Sequence, residues 1–297
     1  MKGRNKEPVV DFIIIGAMKA GSTTLVDYMS QNESVEMSKP KEPQFFSRQY
    51  EAWSIERYES LWAEPKKTCG EASTCYSRWP YYKNVPQRIY SYNPGMKLIY
   101  ILRNPIDRAY SHYRHNVLTD GISYSSFDDA LLKSDEIVMS SMYMLQIDQF
   151  LVFFPRKQIL LIDFDEMVKS NLSTINKIEA FLGLELTKEN QLKTMSSNQA
   201  GIAITHRGFR KRLDNIRNLP VIKFLVDNLF QPNVRACIRF KVDSLIKSSI
   251  SEKMAKARVN KVDKLNDKQK KYLSDRLRSD IEALEQFWKR DLSHWKE

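Results

Sequence analysis

Several residue types that often reveal function are scarce in this 297-residue chain, which holds three cysteines, four histidines and nine glycines. The cysteines are too few and too irregularly spaced for a disulfide framework or a metal site. His206 and His294 are remote from any second candidate ligand, and His112 and His115 have no partner cysteine. Long apolar runs are also missing. The first apolar run of the chain, Phe12–Gly16, is too short for a signal peptide or a membrane span. We therefore expect a cytoplasmic protein without a membrane span.

Charge and hydrophobicity are those of a soluble globular protein, with 42% hydrophobic and 28% charged residues. The formal net charge of +11 favours an anionic partner such as a nucleotide, an acidic glycan, a nucleic acid or a membrane surface. The length suits one large α/β domain or two small ones. Because no repeat or Gly/Ser-rich linker interrupts the chain, we predict a single domain over residues 1–297.

Short apolar runs predict buried strands over Val9–Gly16, Lys97–Leu102 and Gln158–Asp163. Helices are predicted over approximately Ser22–Gln31, Pro105–Leu118, Phe127–Ser134, Met142–Phe154, Leu172–Leu182 and Asp267–Trp288. This alternation indicates an α/β fold of three layers, in which helices flank a central parallel sheet and the C-terminal part is largely helical. Lys188–Lys211 is predicted to be an irregular basic loop.

A turn with the sequence GAMKAGSTT, from residue 16 to residue 24, joins the first predicted strand to the first helix. Glycines allow the backbone to approach an anion closely, and the free N–H groups at a helix start point at it. Lys19 adds a positive charge. The turn differs from a Walker A motif, which has its lysine directly after the second glycine, because Ser22 stands there. An ordinary strand-to-helix turn capped by Ser22 is the alternative.

A second anion site is predicted where the strand ending at Leu102 runs into RNPIDRAYS, from Arg103 to Ser111. Ligands of open α/β sheets bind at the carboxyl ends of the strands, where this arginine lies. Ser111 follows about two turns along the predicted helix, so that its hydroxyl and the guanidinium can hold one phosphate. An Arg103–Asp107 pair that caps a solvated helix is the alternative.

A carboxylate that can act as a general base lies between the two anion sites, in the segment SKPKEPQFFS over residues 38–47. Glu42 is flanked by two lysines and followed by two phenylalanines. Such a carboxylate can accept a proton from an attacking hydroxyl while the cations stabilise the transferred group. A surface loop with both phenylalanines in the core is the alternative.

Together these segments resemble the motifs of the sulfotransferases that use 3′-phosphoadenosine 5′-phosphosulfate (PAPS). GAMKAGSTT resembles their 5′-phosphosulfate loop, RNPIDRAYS their 3′-phosphate element, and KEPQFF the base segment of heparan sulfate 3-O-type and related bacterial carbohydrate sulfotransferases. The resemblance implies a P-loop-like fold, PAPS as the sulfuryl donor and no metal. It also implies that Glu42 is the general base and that Lys19 neutralises charge on the leaving phosphate.

The same resemblance assigns the remaining site residues. Donor contacts are implied for Lys19, Ala20, Gly21, Ser22, Thr23, Thr24, Arg103, Ser111, Arg207 and Gly208. Acceptor-side contacts are implied for Lys39, Lys41, Gln44, Tyr76 and Tyr143, of which the lysines are also candidates for sulfuryl contacts and Tyr143 for core packing. The basic loop 198–212 resembles the segment of these enzymes that closes over the adenine and the 3′-phosphate, and it can equally be a solvated charge run or a patch for an acidic acceptor. Gln44 and Ala72 depart from the animal enzymes, which have histidine and lysine there.

The predicted reaction is transfer of a sulfuryl group from PAPS to a hydroxyl of a carbohydrate or small molecule, with a natural-product alcohol or amine as the alternative to a sugar. A P-loop kinase or NTPase is a rival, because Leu160–Asp163 can pass for a Walker B strand with a Mg²⁺-binding aspartate. A nucleic-acid-binding protein is another, but the chain has neither an aromatic RNA-binding motif nor a helix-turn-helix pattern. We expect no nucleic-acid partner. The acceptor and the oligomeric state stay open.

Overall fold

The computed structural model describes residues 7–63, 67–188 and 264–296. The chain divides into two compact units. Of the described residues, 7–63, 67–109, 134–188 and 266–296 belong to the first unit, and 110–133 with 264–265 belong to the second. The expectation of a single domain stays a prediction. No helix among the described residues is long and apolar enough to cross a membrane.

A parallel sheet of five strands forms the centre of the first unit, in the order β2-β3-β1-β4-β5. The strands are β1 Phe12–Gly16, β2 Val35–Met37, β3 Thr68–Glu71, β4 Lys97–Leu102 and β5 Ile159–Asp163. The predicted strands β1, β4 and β5 are confirmed, although β1 begins three residues later than predicted. Strands β2 and β3 escaped prediction because three or four residues are too few for a periodic pattern, and the sheet itself supplies their hydrogen bonds.

Helices of the first unit flank the sheet, as predicted from the alternation of elements. The helices of the described residues are α1 Ser22–Met29, α2 Ile55–Glu59, α3 Val85–Tyr92, α4 Pro105–His115, α5 Phe127–Lys133 in the second unit, α6 Asp135–Met139, α7 Tyr143–Leu151, α8 Phe164–Lys169, α9 Asn171–Leu182 and a C-terminal helix Asp267–Trp288. A π-helical turn, Asn116–Asp120, follows α4, which therefore ends before the predicted Leu118. The helices absent from the prediction, α2, α3, α6 and α8, have at most eight residues each. Residues 189–263 of the predicted helical part lie outside the described residues.

The core lies around β1 and β4, whose apolar side chains are almost completely buried. Ile13, Ile14 and Ile15 are buried without alternation because helices cover both faces of a parallel sheet. Each buried isoleucine contributes about 1.5–3 kcal/mol relative to an exposed one. Gly70 on β3 faces Phe12 on β1, and a Cβ atom there would lie 2.1 Å from the phenyl ring. The glycine therefore permits the two strands to pair.

The C-terminal helix packs on α7 through a buried apolar stripe that includes Leu277 and Ile281. Asn266 and Gln269 form a capping box at its N-terminus. Asp280 accepts hydrogen bonds from the backbone N–H groups of Met144 (3.0 Å) and Leu145 (2.8 Å), which are free donors at the start of α7. The helix thereby fixes the position of α7 in the first unit.

Candidate active site

Two glycines shape the turn between β1 and α1. Gly21 begins α1 in the left-handed conformation (φ 86°), and a Cβ atom there would lie 2.7 Å from Cε of Met167 and 2.9 Å from Cε2 of Phe164. A Cβ atom on Gly16 would lie 2.1 Å from Oγ of Ser77. Only glycine combines this backbone conformation with these close contacts. The turn is therefore held tightly at both ends.

The backbone of this turn has features that suit the predicted anion-binding site. Lys19 has a left-handed backbone (φ 72°), which costs about 1–2 kcal/mol in a residue with a side chain. The N–H of Ala17 donates to the carbonyl of Ile101 on β4 (2.8 Å), and the N–H of Ala20 donates back to Ala17 (3.1 Å). Helix α1 has no side-chain cap, so Ser22 does not cap it and the alternative of an ordinary capped turn is wrong. Its first N–H groups carry the positive end of the helix dipole.

The predicted second anion site contacts the first one directly. Nη1 of Arg103 donates to the carbonyl oxygen of Lys19 (3.3 Å), and the guanidinium lies 5.0 Å from the ring centroid of Phe164. Tyr143 holds the same residue by its backbone, because its hydroxyl donates to the carbonyl of Arg103 (2.8 Å) and accepts from its N–H (3.4 Å). Arg103 is thus fixed between β4, α7 and the turn of residues 16–24, which we call the phosphate turn.

Helix α4 is capped by Asn104, whose Oδ1 accepts from the N–H groups of Ile106 (3.0 Å) and Asp107 (3.3 Å). The alternative of an Arg103–Asp107 capping pair is therefore replaced by a side-chain cap from the next residue. Ser111 lies on α4 among the residues of the second unit. Its joint action with Arg103 on one phosphate stays a prediction.

Lys41 joins the base segment to the phosphate turn. Its Nζ lies 3.0 Å from the hydroxyl oxygens of both Ser22 and Thr23, and 3.5 Å from Oε1 of Glu42. Burial lowers the pKa of Lys41, while the charge of Glu42 acts in the opposite direction. The sequence predicted that Lys41 contacts the acceptor or the sulfuryl group. Its position beside Ser22 and Thr23 of the predicted phosphate turn favours the sulfuryl contact.

Glu42 is held by three neighbours that come from two segments. Thr74 donates to its Oε1 (3.2 Å), the side-chain amide of Gln44 donates to its Oε2 (3.5 Å), and Lys41 forms the ion pair described above. The side chains of Glu42 and Lys41 are 32% and 27% exposed. The carboxylate is therefore oriented and still open to a molecule from solution. Lys39 is exposed, and its predicted acceptor contact stays a prediction.

Two tyrosines that the sequence assigned to the acceptor are buried. Tyr76 accepts a hydrogen bond from the N–H of Phe46 (3.1 Å) and donates one to Glu71 (3.0 Å). Tyr143 uses its hydroxyl on Arg103. Both hydroxyls therefore serve protein groups in this structure, and direct acceptor contacts by these tyrosines stay predictions.

Asp163, the aspartate of the kinase alternative, caps a helix. Its Oδ1 accepts from the N–H groups of Asp165 (2.6 Å) and Glu166 (3.0 Å), and its Oδ2 lies 3.0 Å from Nη2 of Arg290. The side chain is 2% exposed. This carboxylate is fully used within the protein, which removes the main support for a Walker B interpretation. Arg290 follows the C-terminal helix and lies over the ring of Trp288, at 5.0 Å from the ring centroid.

Some predicted features fall outside the described residues, namely Arg207, Gly208 and the whole basic loop 198–212. Among the residues that the structure describes, no group of three or more His, Cys, Asp or Glu side chains is placed to hold a metal ion. Independence of a metal stays a prediction.

Sequence reasoning missed the residues that support the site from behind: Glu71, Ser73, Thr74, Ser77, Phe164 and Met167. Within the segment Gly70–Tyr76, the resemblance gave a role to Tyr76 and marked Ala72 as a departure, but it gave no role to Glu71, Ser73 or Thr74. The contacts of this segment with the base segment depend on how β3 pairs with β1, which no local pattern reveals. Phe164 and Met167 follow β5 and reach Gly21 only because β5 and β1 flank the same strand, β4.

A family model of the sulfotransferase domain matches residues 10–201, about two thirds of the chain. The chain belongs to the sulfotransferase family. This sulfotransferase is 29% identical to human heparan sulfate glucosamine 3-O-sulfotransferase 6 over 196 residues, which are 62% of this chain and 54% of the relative. It is 26% identical to the bifunctional heparan sulfate N-deacetylase/N-sulfotransferase 1 of Caenorhabditis elegans over 195 residues, 60% of this chain and 22% of the relative.

The sulfotransferase chain thus spans about half, or less, of the length of these curated relatives. A solved sulfotransferase from Alicyclobacillus acidocaldarius has the same fold, with a TM-score of 0.64 at 22% sequence identity. That comparison covers 97% of this chain and 99% of the bacterial one. The predicted P-loop-like α/β fold is therefore confirmed.

Proposed function

We propose that this sulfotransferase transfers a sulfuryl group from PAPS to a hydroxyl group of a carbohydrate or small molecule, with Glu42 as the general base. One observation carries the proposal. Lys41 contacts the hydroxyls of Ser22 and Thr23 on the phosphate turn and the carboxylate of Glu42 at the same time. A partly exposed base therefore lies directly beside the predicted donor site.

The residues of the phosphate turn fit an anionic nucleotide. The uncapped start of α1, the left-handed Gly21 and the hydroxyls of Ser22 and Thr23 offer hydrogen-bond donors in one small region. Lys19 and Arg103 add positive charge at its edge. Such a concentration of donors and cations stabilises phosphate and sulfate oxygens without proton transfer. PAPS as the donor stays part of the proposal.

In the proposed reaction a bond forms between the acceptor oxygen and sulfur, and the bond between sulfur and the oxygen of the 5′-phosphate breaks. Glu42 accepts the proton of the acceptor hydroxyl, and 3′-phosphoadenosine 5′-phosphate (PAP) leaves. Lys41, which reaches both sides, stabilises negative charge on the transferred group, while Lys19 and the first N–H groups of α1 stabilise it on the leaving phosphate. Fixed cations and donors supply the catalysis because they need no rearrangement during the reaction.

A carbohydrate hydroxyl is the preferred acceptor. Support comes from the KEPQFF segment and from the relatives named as heparan sulfate sulfotransferases. The positive net charge suits an acidic glycan. A small alcohol or amine is the alternative acceptor. Turnover measured with a set of sugars and a set of small alcohols and amines distinguishes the two.

Thermal unfolding with PAP or with ATP and Mg²⁺ tests the donor assignment. A ligand that binds only the folded state stabilises it by about 2.7 kcal/mol at a concentration of 100 Kd. We expect PAP without metal to raise the Tm of the wild type, and Arg103→Ala to remove most of that increase. Arg276→Ala, a change at an exposed arginine of the C-terminal helix, is the matched control and should leave the increase intact. Stabilisation only by ATP with Mg²⁺ would overturn the proposal.

A further inference from the structure

A buried carboxylate, Glu71, adjoins the base segment, which consists of residues Lys41–Phe46. It is the last residue of β3 and is completely buried. Three hydroxyl groups donate to it, from Tyr58 (2.8 Å), Tyr76 (3.0 Å) and Ser73. A buried carboxylate with this many donors is satisfied, but its desolvation is still costly.

Two of these hydroxyls continue to the backbone of the base segment. Oγ of Ser73 accepts from the N–H of Gln44 (2.9 Å), and the hydroxyl of Tyr76 accepts from the N–H of Phe46 (3.1 Å). Each hydroxyl thus receives a hydrogen bond from the base segment and gives one to Glu71. We call these two connections the hydroxyl relays. Gln44 has a left-handed backbone (φ 55°), and the hydrogen bond from its N–H to Ser73 stabilises that conformation.

The third donor contacts the base segment in a different way. The ring of Tyr58 stacks on Phe45, with centroids 4.4 Å apart and an interplanar angle of 11°. Its hydroxyl donates to Glu71 without receiving a hydrogen bond from the base segment. Tyr58 therefore shares the carboxylate and the packing, but it is not a relay.

The direction of both relays depends on the carboxylate. A hydroxyl has one proton, and an ionised carboxylate can only accept hydrogen bonds. Ser73 and Tyr76 must therefore turn their protons toward Glu71, which leaves their lone pairs for the N–H groups of Gln44 and Phe46. An amide at residue 71 would turn a donating NH₂ group toward one of these hydroxyls, and the proton of that hydroxyl would lose its acceptor.

We propose that Glu71 is a positioning residue that sets the place of Glu42 through the two hydroxyl relays, an inference that rests on the proposed function of Glu42. Thr74 lies between Ser73 and Tyr76 and donates to the Glu42 carboxylate itself, so residues 73–76 contact both the backbone of the base segment and the side chain of Glu42. The N–H of Ala72 also donates to the carbonyl of Lys41 (3.3 Å). Residues 71–76 thereby contact the base segment at several successive residues.

A charge at this buried place is costly to folding. Burial raises the pKa of Glu71 to about 7; the negative charge of Glu42 acts in the same direction, and the hydrogen bonds from Ser73, Tyr58 and Tyr76 act against it. A neutral side chain would avoid the desolvation of a charge. A buried, costly carboxylate next to a candidate base is the arrangement expected of a residue kept for the site.

The test compares Glu71→Gln, Ser73→Ala and Tyr76→Phe, which break the relays, with Tyr58→Phe, which keeps the stacked ring and both relays. PAP affinity is measured by calorimetry, and turnover by formation of PAP from PAPS with water or 4-nitrophenol as acceptor. We expect the three relay variants to lose about 10- to 100-fold in turnover with PAP affinity within about twofold of wild type. Turnover by Tyr58→Phe should stay within about threefold of wild type. Ser73→Thr, which keeps a hydroxyl, should retain most of the turnover that Ser73→Ala loses.

Backbone hydrogen exchange supplies a second measurement that needs no acceptor. The amides of Gln44 and Phe46 should exchange at least about tenfold faster in Glu71→Gln than in wild type or Tyr58→Phe. Unchanged exchange there, or unchanged turnover despite faster exchange, overturns the role of Glu71. Failure of the wild type to bind PAP overturns the proposed function instead, so the two failures are distinguishable.

Discussion

The two sides of the candidate site are built in different ways. The predicted donor side, from Gly16 to Thr24, is shaped mainly by backbone: left-handed residues, an uncapped helix start and glycines that leave room for neighbouring side chains. The proposed acceptor side consists of the base segment and residues 71–76, which are joined by side-chain hydrogen bonds. A backbone site is specified by a few adjacent residues, whereas a side-chain network needs residues that are distant in the sequence.

The largest effect is expected at Glu42, where the two sides meet. Glu42→Gln removes the proton acceptor but retains the shape of the side chain, so turnover should fall about 10²- to 10⁴-fold while PAP affinity stays within about twofold. Initial rates and calorimetry measure the two quantities. Glu51→Gln, at an exposed carboxylate nearby in the sequence, is the control and should behave as wild type. Full activity of Glu42→Gln would exclude this residue as the base.

The next effect concerns the proposed acceptor side, where Glu71 makes the free energy of unfolding depend on pH. Because the pKa of Glu71 is about 7 in the folded protein and 4.5 in its ordinary state, the folded state binds more protons between these values. Stability should therefore fall as the pH rises from about 4.5 to about 7, by about 3 kcal/mol from this group.

Denaturant unfolding at several pH values, on wild type and Glu71→Gln, measures this contribution as a difference. The variant should lack that part of the slope. Asp280, whose pKa burial raises to about 6, contributes in the same direction in both proteins and cancels in the difference. Parallel curves for the two proteins would contradict the raised pKa.

A smaller effect is expected from a methyl group on the donor side. Gly21→Ala places a Cβ atom 2.7 Å from Met167 in a left-handed residue, and should cost about 1–3 kcal/mol of unfolding free energy and weaken PAP binding. Gly183→Ala is the matched control, because Gly183 has nearly the same φ (79°) and open space at its Cβ position. Its cost should be only the backbone strain, without an effect on PAP. Equal effects in both variants would refute the packing argument.

The smallest effect is expected from one hydrogen bond on the acceptor side. Thr74→Val removes the hydroxyl that donates to Glu42 and should lower turnover about two- to tenfold, in line with one hydrogen bond of about 0.5–1.5 kcal/mol. Thr174→Val, which removes a hydroxyl bonded to a backbone carbonyl in α9, should leave turnover unchanged. A loss of PAP affinity in Thr74→Val would place this threonine on the donor side.

Much of the fold could be predicted from the sequence, because β1, β4 and β5 are apolar runs and the longer helices have a clear period. The C-terminal helix begins and ends where the pattern indicated, Asp267–Trp288. Strands β2 and β3 could not be predicted, since the short segments VEM and TCGE become strands only through pairing within the sheet. The environment of Tyr76 and Tyr143 could not be predicted either, because the sequence does not show whether a tyrosine hydroxyl bonds to the protein or faces a ligand.

By itself the sequence determined the phosphate turn, the strand-end arginine and the candidate base, because each depends on a short run of adjacent residues with fixed chemistry. Only the tertiary structure decided that Lys41 reaches Ser22 and Thr23, that Asp163 pairs with Arg290, and that Glu71 supports the base segment through Ser73 and Tyr76. These contacts depend on how the elements pack around the sheet, which brings residues that are not neighbours in the sequence to within a hydrogen bond or ion pair of each other. Local sequence specifies chemical groups, and the packing of the sheet specifies which of them meet.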